Sequence, residues 1–256
     1  MNDGETLIDY IIVIQARTGS SRLPKKMLLP FFEGQTILDI LINRLIDLGL
    51  QDKIVVATST NSADDDIMNI ALAHNVNYFR GDETNVTKRF YDCGKRFKKN
   101  ILIRICADNP LFDVSKIINL IENYKEGLDY LGYKVNGIPS ILTHLGFYPE
   151  LTTTNALEKI LFQTNDLKYL EHVTKYIYEE PGLFYVKWIQ VDYEDLKNCR
   201  ARFTVDTLED FTLMQKVYSE ICRYNIEINA EKIADFIKLK PDILYEMQNQ
   251  ILRNSK

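Results

Sequence analysis

The chain has 256 residues, 46% hydrophobic and 26% charged, with 11 glycines and 7 prolines, a composition that excludes disordered and fibrous proteins. Its 31 Lys and Arg against 36 Asp and Glu leave a formal charge of −5, which argues against a general nucleic-acid or anionic-membrane binder while leaving room for a local basic pocket. No apolar run approaches the roughly 18 residues of a membrane span, and the opening MNDGETLIDY is polar and acidic rather than signal-like.

Residues 8–15 (IDYIIVIQ) form a nearly continuous apolar, β-branched run, which predicts a strand buried on both faces. A polar loop follows to about residue 35. From Thr36 to Leu48, residues Ile37, Leu38, Leu41, Ile42, Leu45 and Leu48 share one helical stripe, stopped by Gly49. KIVVA (53–57) predicts a second strand, and Ser62 with the three aspartates after Ala63 opens a helix ending near His74. A third strand at 77–79, a helix at 86–97, a fourth strand at 101–107, a helix at 114–124 and a strand at 129–135 follow. The second half predicts a strand at 145–151, helices at 153–163 and 167–179, and a strand at 182–191. A short strand at 203–205 enters a helix near Leu208, and residues 230–253 form two amphipathic helices parted at Pro241.

This alternation predicts an α/β fold, a mostly parallel sheet with helices on both faces. The simplest division is a single domain over 1–256, with a small β/α lobe inserted at about 130–200. Ligands of such sheets bind beyond the carboxyl ends of the strands, so the loops after Gln15, Thr58, Phe79 and Cys106 are the places to search. The four scattered cysteines (Cys93, Cys106, Cys199, Cys222) lack a C-x-x-C and read as reduced, mostly buried thiols of a cytoplasmic protein. His74, His144 and His172 have no zinc-ligand spacing.

The first of those loops carries the chemistry. QARTGSSRLPKK (15–26) holds four cations, Arg17, Arg22, Lys25 and Lys26, and no acid. Gly19 and the serines beside it let backbone N–H groups approach an anion closely, and guanidinium forks and a lysine match phosphate oxygens. The loop reads as a polyphosphate cradle that is neither a G-x-x-x-x-G-K-[ST] P-loop nor a G-x-G-x-x-G fingerprint. A solvated basic loop has the same composition.

The pattern AR-x-G-S-x-RLP-x-K after the first strand resembles the cytidylyltransferases that make CMP-activated sugars. The CMP-sugar-acid synthetases are such enzymes, and the spore-coat polysaccharide biosynthesis protein F subfamily is especially similar. VVATSTNSADDDI (55–67), YFRGDETNVTKRFYD (78–92), LIRICADNPLFD (102–113), EHVTKYIY (171–178), RFTVDTLEDF (202–211) and the tail INAEKIADFIKLKPDIL (228–244) extend the similarity in order. The resemblance implies a Rossmann-like nucleotidyltransferase fold. It implies Mg²⁺-dependent transfer from CTP to a sugar acid or a phosphorylated small molecule, with release of pyrophosphate, in surface polysaccharide or glycan precursor synthesis. Nucleic acid and membrane are not expected partners; CTP and a small anionic acceptor are. Such enzymes are commonly dimers, so a homodimer is a further expectation.

Residue by residue, the resemblance places phosphate contacts on Arg17, Gly19, Ser20, Arg22 and Lys26, next to Gln15 and Ala16. Lys25 stands where the subfamily has glycine. Asp108, in Ala-Asp-Asn-Pro, and Asp206, in Thr-Val-Asp-Thr, match the family's metal aspartates, and hard carboxylate oxygens suit Mg²⁺. Arg17, Arg22, Lys26 and Asp108 form the expected catalytic set. Nucleoside contacts are expected from Thr58, Ser59, Arg80 and Arg89, where surface ion pairing is the competing role. Arg104, inside a strand, must pair with phosphate or with a carboxylate. Acceptor contacts are expected from Glu150, His172 and Tyr148, the last replacing an aspartate of the subfamily's Gly-Leu-Asp-x-Glu.

Two other readings compete. In a glycosyltransferase consuming a nucleotide-sugar, the run Asp64-Asp65-Asp66 would bind metal, although aspartates at a helix start need no such role. In a catalytically silent relative acting as a binding module, the complete basic loop and both aspartates would have no purpose.

Overall fold

Strand β1 (Tyr10–Gln15) lies at the centre because both of its faces are apolar. In the computed structural model, which describes residues 8–194, 196 and 200–253, β1 pairs in parallel with β2 (Ile54–Ser59) and β4 (Ile101–Cys106). β3 (Asn77–Gly81) adds to β2, again in parallel. Ile12 and Ile14 pack into one core with Leu38, Leu41 and Leu45 of α1 (Ile37–Ile46) and Ile117 and Leu120 of α4 (Ser115–Asn123). Ile11 and Val13 pack into a second core with Val86 and Phe90 of α3 (Val86–Phe97) and Leu157 and Ile160 of α5 (Thr154–Gln163). The period-2 pleat therefore divides one apolar run between the two helical layers.

The sheet has eight strands among the described residues, in the order β3-β2-β1-β4-β7-β5-β6, with β8 on β5. β7 (Glu150–Thr153) runs antiparallel to β4, placing Glu150 opposite Arg104. β5 (Tyr130–Val135) is antiparallel to β7 and to β6 (Ile138–Pro139), and parallel to β8 (Val186–Val191). The stretch expected to form an inserted lobe thus extends the same sheet. α2 (Asp65–Ala73) covers β2 and β3. α8 (Leu208–Arg223), α9 (Ala230–Lys238) and α10 (Pro241–Arg253) bury Met214, Val217, Ile233, Ile237 and Met247 in the first core. No helix among the described residues is long and apolar enough to cross a membrane.

Several expected elements shift for local reasons. α1 starts at a capping box between Thr36 and Asp39 and stops at Ile46, leaving Leu48 outside the stripe and exposed. Residues 145–149 are irregular, with Gly146 at φ +66° and Pro149 before the strand, so β7 begins only at Glu150. The single helix expected over 167–179 is two, α6 (Leu167–Leu170) and α7 (Lys175–Glu179), broken where Val173 turns to φ +20°. β8 starts at Val186, because Pro181–Leu183 form a 3₁₀ turn. Residues 203–205 form no strand; they hang on single bonds, Phe203 N–H to His144 O (2.8 Å) and Val205 N–H to Asp108 O (3.0 Å). Cys93 is buried and Cys106 half-buried, but Cys222 is exposed; Cys199 lies outside the described residues.

α3 and α5 meet closely at Gly94, where a Cβ would lie 2.4 Å from Thr154 Oγ1 and 3.1 Å from the Lys99 carbonyl oxygen. Alanine would gain about 1 kcal/mol of helix propensity, but crowding of this kind costs about 1–3 kcal/mol. Gly94→Ala is therefore expected to lower the urea midpoint without abolishing folding; a raised midpoint would contradict this packing.

Candidate active site

The loop after β1 is fixed at its root by backbone bonds across three strand ends. Ala16 N–H donates to Ala57 O (3.2 Å), and Ala107 N–H donates to Gln15 O (3.1 Å). Its first turn is fixed by one buried carboxylate. Asp64 Oδ1 accepts from the Thr18 backbone N–H and hydroxyl, each at 2.7 Å, while Oδ2 accepts from the Ser59 N–H (3.2 Å) and hydroxyl. Burial alone would raise the Asp64 pKa, but these hydrogen bonds from Ser59 and Thr18 outweigh it and hold the group below its ordinary 3.8. Thr18 O then accepts from Ser20 N–H (2.8 Å) and Lys25 N–H (3.0 Å), curling residues 18–25 into a compact turn. Lys25 closes that turn at φ +57°. This left-handed geometry explains why glycine suits the position in the resembling subfamily and why a lysine there is strained.

The turn delivers Lys26 and Arg22 to two aspartates. Lys26, the buried first residue of a 3₁₀ turn, donates from Nζ to Asp108 Oδ2 (2.9 Å) and to Val205 O (2.6 Å). Asp108 lies two residues past the last residue of β4, at the carboxyl end of the sheet. Arg22 Nη2 donates to Asp206 Oδ1 at 2.8 Å. The other oxygen of Asp206 accepts from Arg202 Nη2, also at 2.8 Å. Arg202 has no exposed side-chain surface and forks onto Asp210, Nε to Oδ1 (2.7 Å) and Nη2 to Oδ2 (2.8 Å). Asp210 in turn accepts from the N–H groups of Asp206 and Thr207 at 3.0 Å, capping α8. Two charged pairs and a helix cap thus fix one aspartate side chain.

These groups line two connected compartments. One, of about 450 Å³, is walled by the loop and by Asp108, Asp206 and His172. The other, of about 490 Å³, reaches past Asn109, Ser140, Thr143, Tyr148, Lys175 and Thr204. Gln15, Arg22, Cys106, Asp108, His172 and Asp206 border both. Gln15 is oriented by Arg104, which donates from Nε (3.1 Å) and Nη2 (3.0 Å) to its Oε1. Burial lowers the pKa of His172, leaving its imidazole neutral near pH 7. Asn109, Tyr148 and Thr204 border the second compartment, but Asn109 Oδ1, Tyr148 OH and Thr204 Oγ1 are themselves closed off from solvent, without a hydrogen-bond partner among the described residues, and the Tyr148 phenol lies toward Asp113 and Glu231.

The structure brings together Gln15, Ala16, Arg17, Gly19, Ser20, Arg22, Lys26, Asp108, Asp206 and His172 in the first compartment, with Tyr148 in the second. Arg17 reaches Glu171 across the mouth at 2.8 Å, a half-exposed pair worth little in itself. The residues chosen for the nucleoside lie behind the lining. Ser59 is bound to Asp64, and Thr58 is fully buried with Oγ1 unpartnered among the described residues. Arg80 donates to Ser59 O (2.9 Å) and Asn61 O (2.8 Å) and pairs with Asp65 (2.7 Å). Arg89 is fully buried and donates to Asp82 O (2.8 Å) and Glu83 O (2.9 Å), while its Nη1 has no partner among the described residues. Glu150 also lies below the lining, accepting from Arg104, from Tyr130 OH (2.6 Å) and from Thr174 Oγ1 (2.9 Å). Asp64 and Asp65 are engaged by the loop and by Arg80, so the glycosyltransferase reading loses its metal run. Sequence reasoning missed Arg202 and Asp210. The spacing 202, 206, 210 was the available signal, because an arginine four residues from a site aspartate can brace it.

The family model described as Cytidylyltransferase matches residues 11–255, and the chain belongs to that family. It is 30% identical over 246 residues to the spore coat polysaccharide biosynthesis protein SpsF of Bacillus subtilis, covering 94% of this chain and 98% of that one. Among solved structures, a cytidylyltransferase from Leptospira borgpetersenii superposes with a TM-score of 0.79 at 26% identity, over 94% of this chain and 98% of that chain. A CMP:2-keto-3-deoxy-manno-octonic acid synthetase complexed with CTP shares the fold, with a TM-score of 0.61 at 13% identity over 83% of this chain and 99% of that one.

Asp64→Ala strips four hydrogen bonds from the loop and leaves two backbone N–H groups buried. The expected loss is about 1–3 kcal/mol in chemical denaturation. Because the folded-state pKa of Asp64 is depressed, its contribution is present above 3.8 and fades as pH falls through the lower folded value. The gap between the two proteins should therefore narrow in acid. A pH-independent gap would point to lost packing instead.

Proposed function

We propose that the protein transfers the cytidylyl group of CTP to a small, anionic, hydroxyl-bearing acceptor, with release of pyrophosphate. The observation that carries this reading is the meeting of a cation-lined compartment and a hydroxyl-lined compartment at Asp108 and Asp206. The backbone of Gly19 and Ser20, with Arg17, Arg22 and Lys26, would receive the triphosphate. An acceptor oxygen entering from the second compartment would attack the α-phosphorus in line. A bond forms between that oxygen and phosphorus, the hydroxyl proton passes to solvent water, and the bond to the bridging oxygen breaks, with its electron pair leaving on pyrophosphate. The chain's work is then to position the two substrates and to stabilise charge on the leaving group.

The donor set suits Mg²⁺. Asp108 and Asp206 offer hard oxygens, and among the described residues no cluster of three or more His, Cys, Asp or Glu forms a complete protein cage. Mg²⁺ normally takes one or two carboxylates and completes its shell with phosphates and water. Bound to these two residues, it would supply positive charge against the phosphates. Lys26 is the fixed cation beside them, held by the Val205 carbonyl.

On the acceptor side, the lining of Ser140, Thr143, Lys175 and Thr204 supports a ligand that brings hydroxyl groups and negative charge. A sugar acid has that character, and the likeness to a spore coat polysaccharide biosynthesis protein supports a role in precursor synthesis for a surface glycan. Dependence on CTP and free cysteine thiols support a cytoplasmic setting.

Pyrophosphate release should be followed with each of the four nucleoside triphosphates against a panel of sugar acids and sugar phosphates. The expected outcome is turnover preferring CTP, lowered about 100- to 1000-fold in kcat by Asp108→Asn. Turnover indifferent to the base, or an unaffected Asp108→Asn, would contradict the reading. Lys175→Gln should raise the acceptor KM about 2- to 10-fold while leaving the KM for CTP in place; equal changes in both constants would remove Lys175 from acceptor recognition.

A further inference from the structure

The two cations that meet the site aspartates are held differently. Lys26 is nearly buried, its side chain 10% exposed, and it is tied both to a carboxylate and to the Val205 carbonyl. Arg22 is 50% exposed on the loop and, among the described residues, its guanidinium has one hydrogen-bonded partner, Asp206 Oδ1. Asp206 is also asymmetric. Its Oδ2 belongs to the buried Arg202, which the Asp210 fork keeps in place. Oδ1 is the oxygen that Arg202 does not engage, and Arg22 is on it.

We propose that Arg22 and a divalent cation compete for Asp206 Oδ1, and that a triphosphate resolves the competition by drawing Arg22 onto its own oxygens. This rests on the reading of the cleft as a metal-dependent nucleotidyl-transfer site. Asp206 presents one oxygen and so serves as a monodentate ligand. A divalent cation arriving alone must displace the guanidinium into water. When a triphosphate arrives as well, the guanidinium exchanges one oxyanion for another, and the exchange carries little penalty. Metal and polyphosphate therefore strengthen each other's binding by the same factor. Lys26, held by a carbonyl that does not leave, stays in place through the exchange.

The test is binding of Mn²⁺ alone to the full chain, followed by paramagnetic resonance. Arg22→Gln is expected to bind Mn²⁺ about tenfold more tightly than the wild type. Arg17→Gln removes a cation of the same loop that faces Glu171 instead, and is expected to stay within about twofold of the wild type. Adding inorganic tripolyphosphate, with correction for Mn²⁺ held by the free polyphosphate, should tighten Mn²⁺ binding to the wild type and do so much less in Arg22→Gln. Asp206→Asn should weaken Mn²⁺ binding in either background. Equal Mn²⁺ affinities in the wild type and Arg22→Gln overturn the proposal, as does an equal gain in Arg17→Gln, which would signify general electrostatics. If Asp206→Asn leaves Mn²⁺ binding unchanged and no pyrophosphate forms with any acceptor, the transferase reading falls too. If pyrophosphate forms and Asp206→Asn weakens the metal while Arg22→Gln does nothing, only the competition is wrong. Arg22 lies exposed on the surface, so unfolding of its variant is not expected, and circular dichroism checks this.

Discussion

The Asp64 carboxylate ties the loop after β1 to the end of β2, and the cations proposed to meet a triphosphate, Arg17, Arg22 and Lys26, hang from that loop. A run with four positive charges and no acid repels itself, and exposed backbone alone does not hold it in one conformation. Four hydrogen bonds to one ionised, buried acceptor do so. They leave the guanidinium and ammonium groups of Arg17, Arg22 and Lys26 facing the cleft. The negative end of the restraint is buried outside the cleft lining, while the positive groups border the cleft. An acidic protein can present a basic notch in this way, and the net charge of −5 hides it.

The same device recurs under the rest of the site. Burying one charge is costly, and burying a pair costs little only when each partner is well satisfied. Arg202 meets this condition through Asp210 and Asp206, and Glu150 through Arg104, Tyr130 and Thr174. Burial acts against the charge on Arg104, but the nearby Cys106 and Glu150 outweigh it, and its pKa ends above the ordinary value. Burial raises the pKa of Tyr130, which stays a phenol and can donate to Glu150. These networks touch the cleft at its floor. Arg104 turns the Gln15 amide, and Arg202 takes one oxygen of Asp206 and leaves the other to Arg22.

Much of this was legible in the residues. The β1 run, the alternation through β5 and the basic loop are local signals, because apolar period and charge density are properties of short windows. They located the parallel half of the sheet and the cleft at its carboxyl ends. Less legible was whatever depends on distant partners. Glu150 looked like an acceptor contact because its motif is near the site, yet antiparallel pairing of β7 with β4 sets it against Arg104 inside the sheet. Arg80 and Arg89 looked like ligand groups because they are arginines on the right loops. Their guanidinium groups instead close those loops by bonding carbonyls of residues 59, 61, 82 and 83. Lys25 shows the reverse case. Its departure from glycine was visible, and the positive φ that makes glycine suitable was not.

The central claim is that residues 15–26 form the triphosphate seat. Its most direct test is calorimetric titration of CTP, with Mg²⁺ present, into the wild type and Lys26→Met. Methionine keeps the length and apolar stem of Lys26 while deleting the ammonium that bridges Asp108 and Val205. One CTP per chain is expected for the wild type and binding weakened about tenfold or more in the variant, with thermal unfolding still cooperative. Undiminished CTP binding to a folded Lys26→Met protein would contradict it.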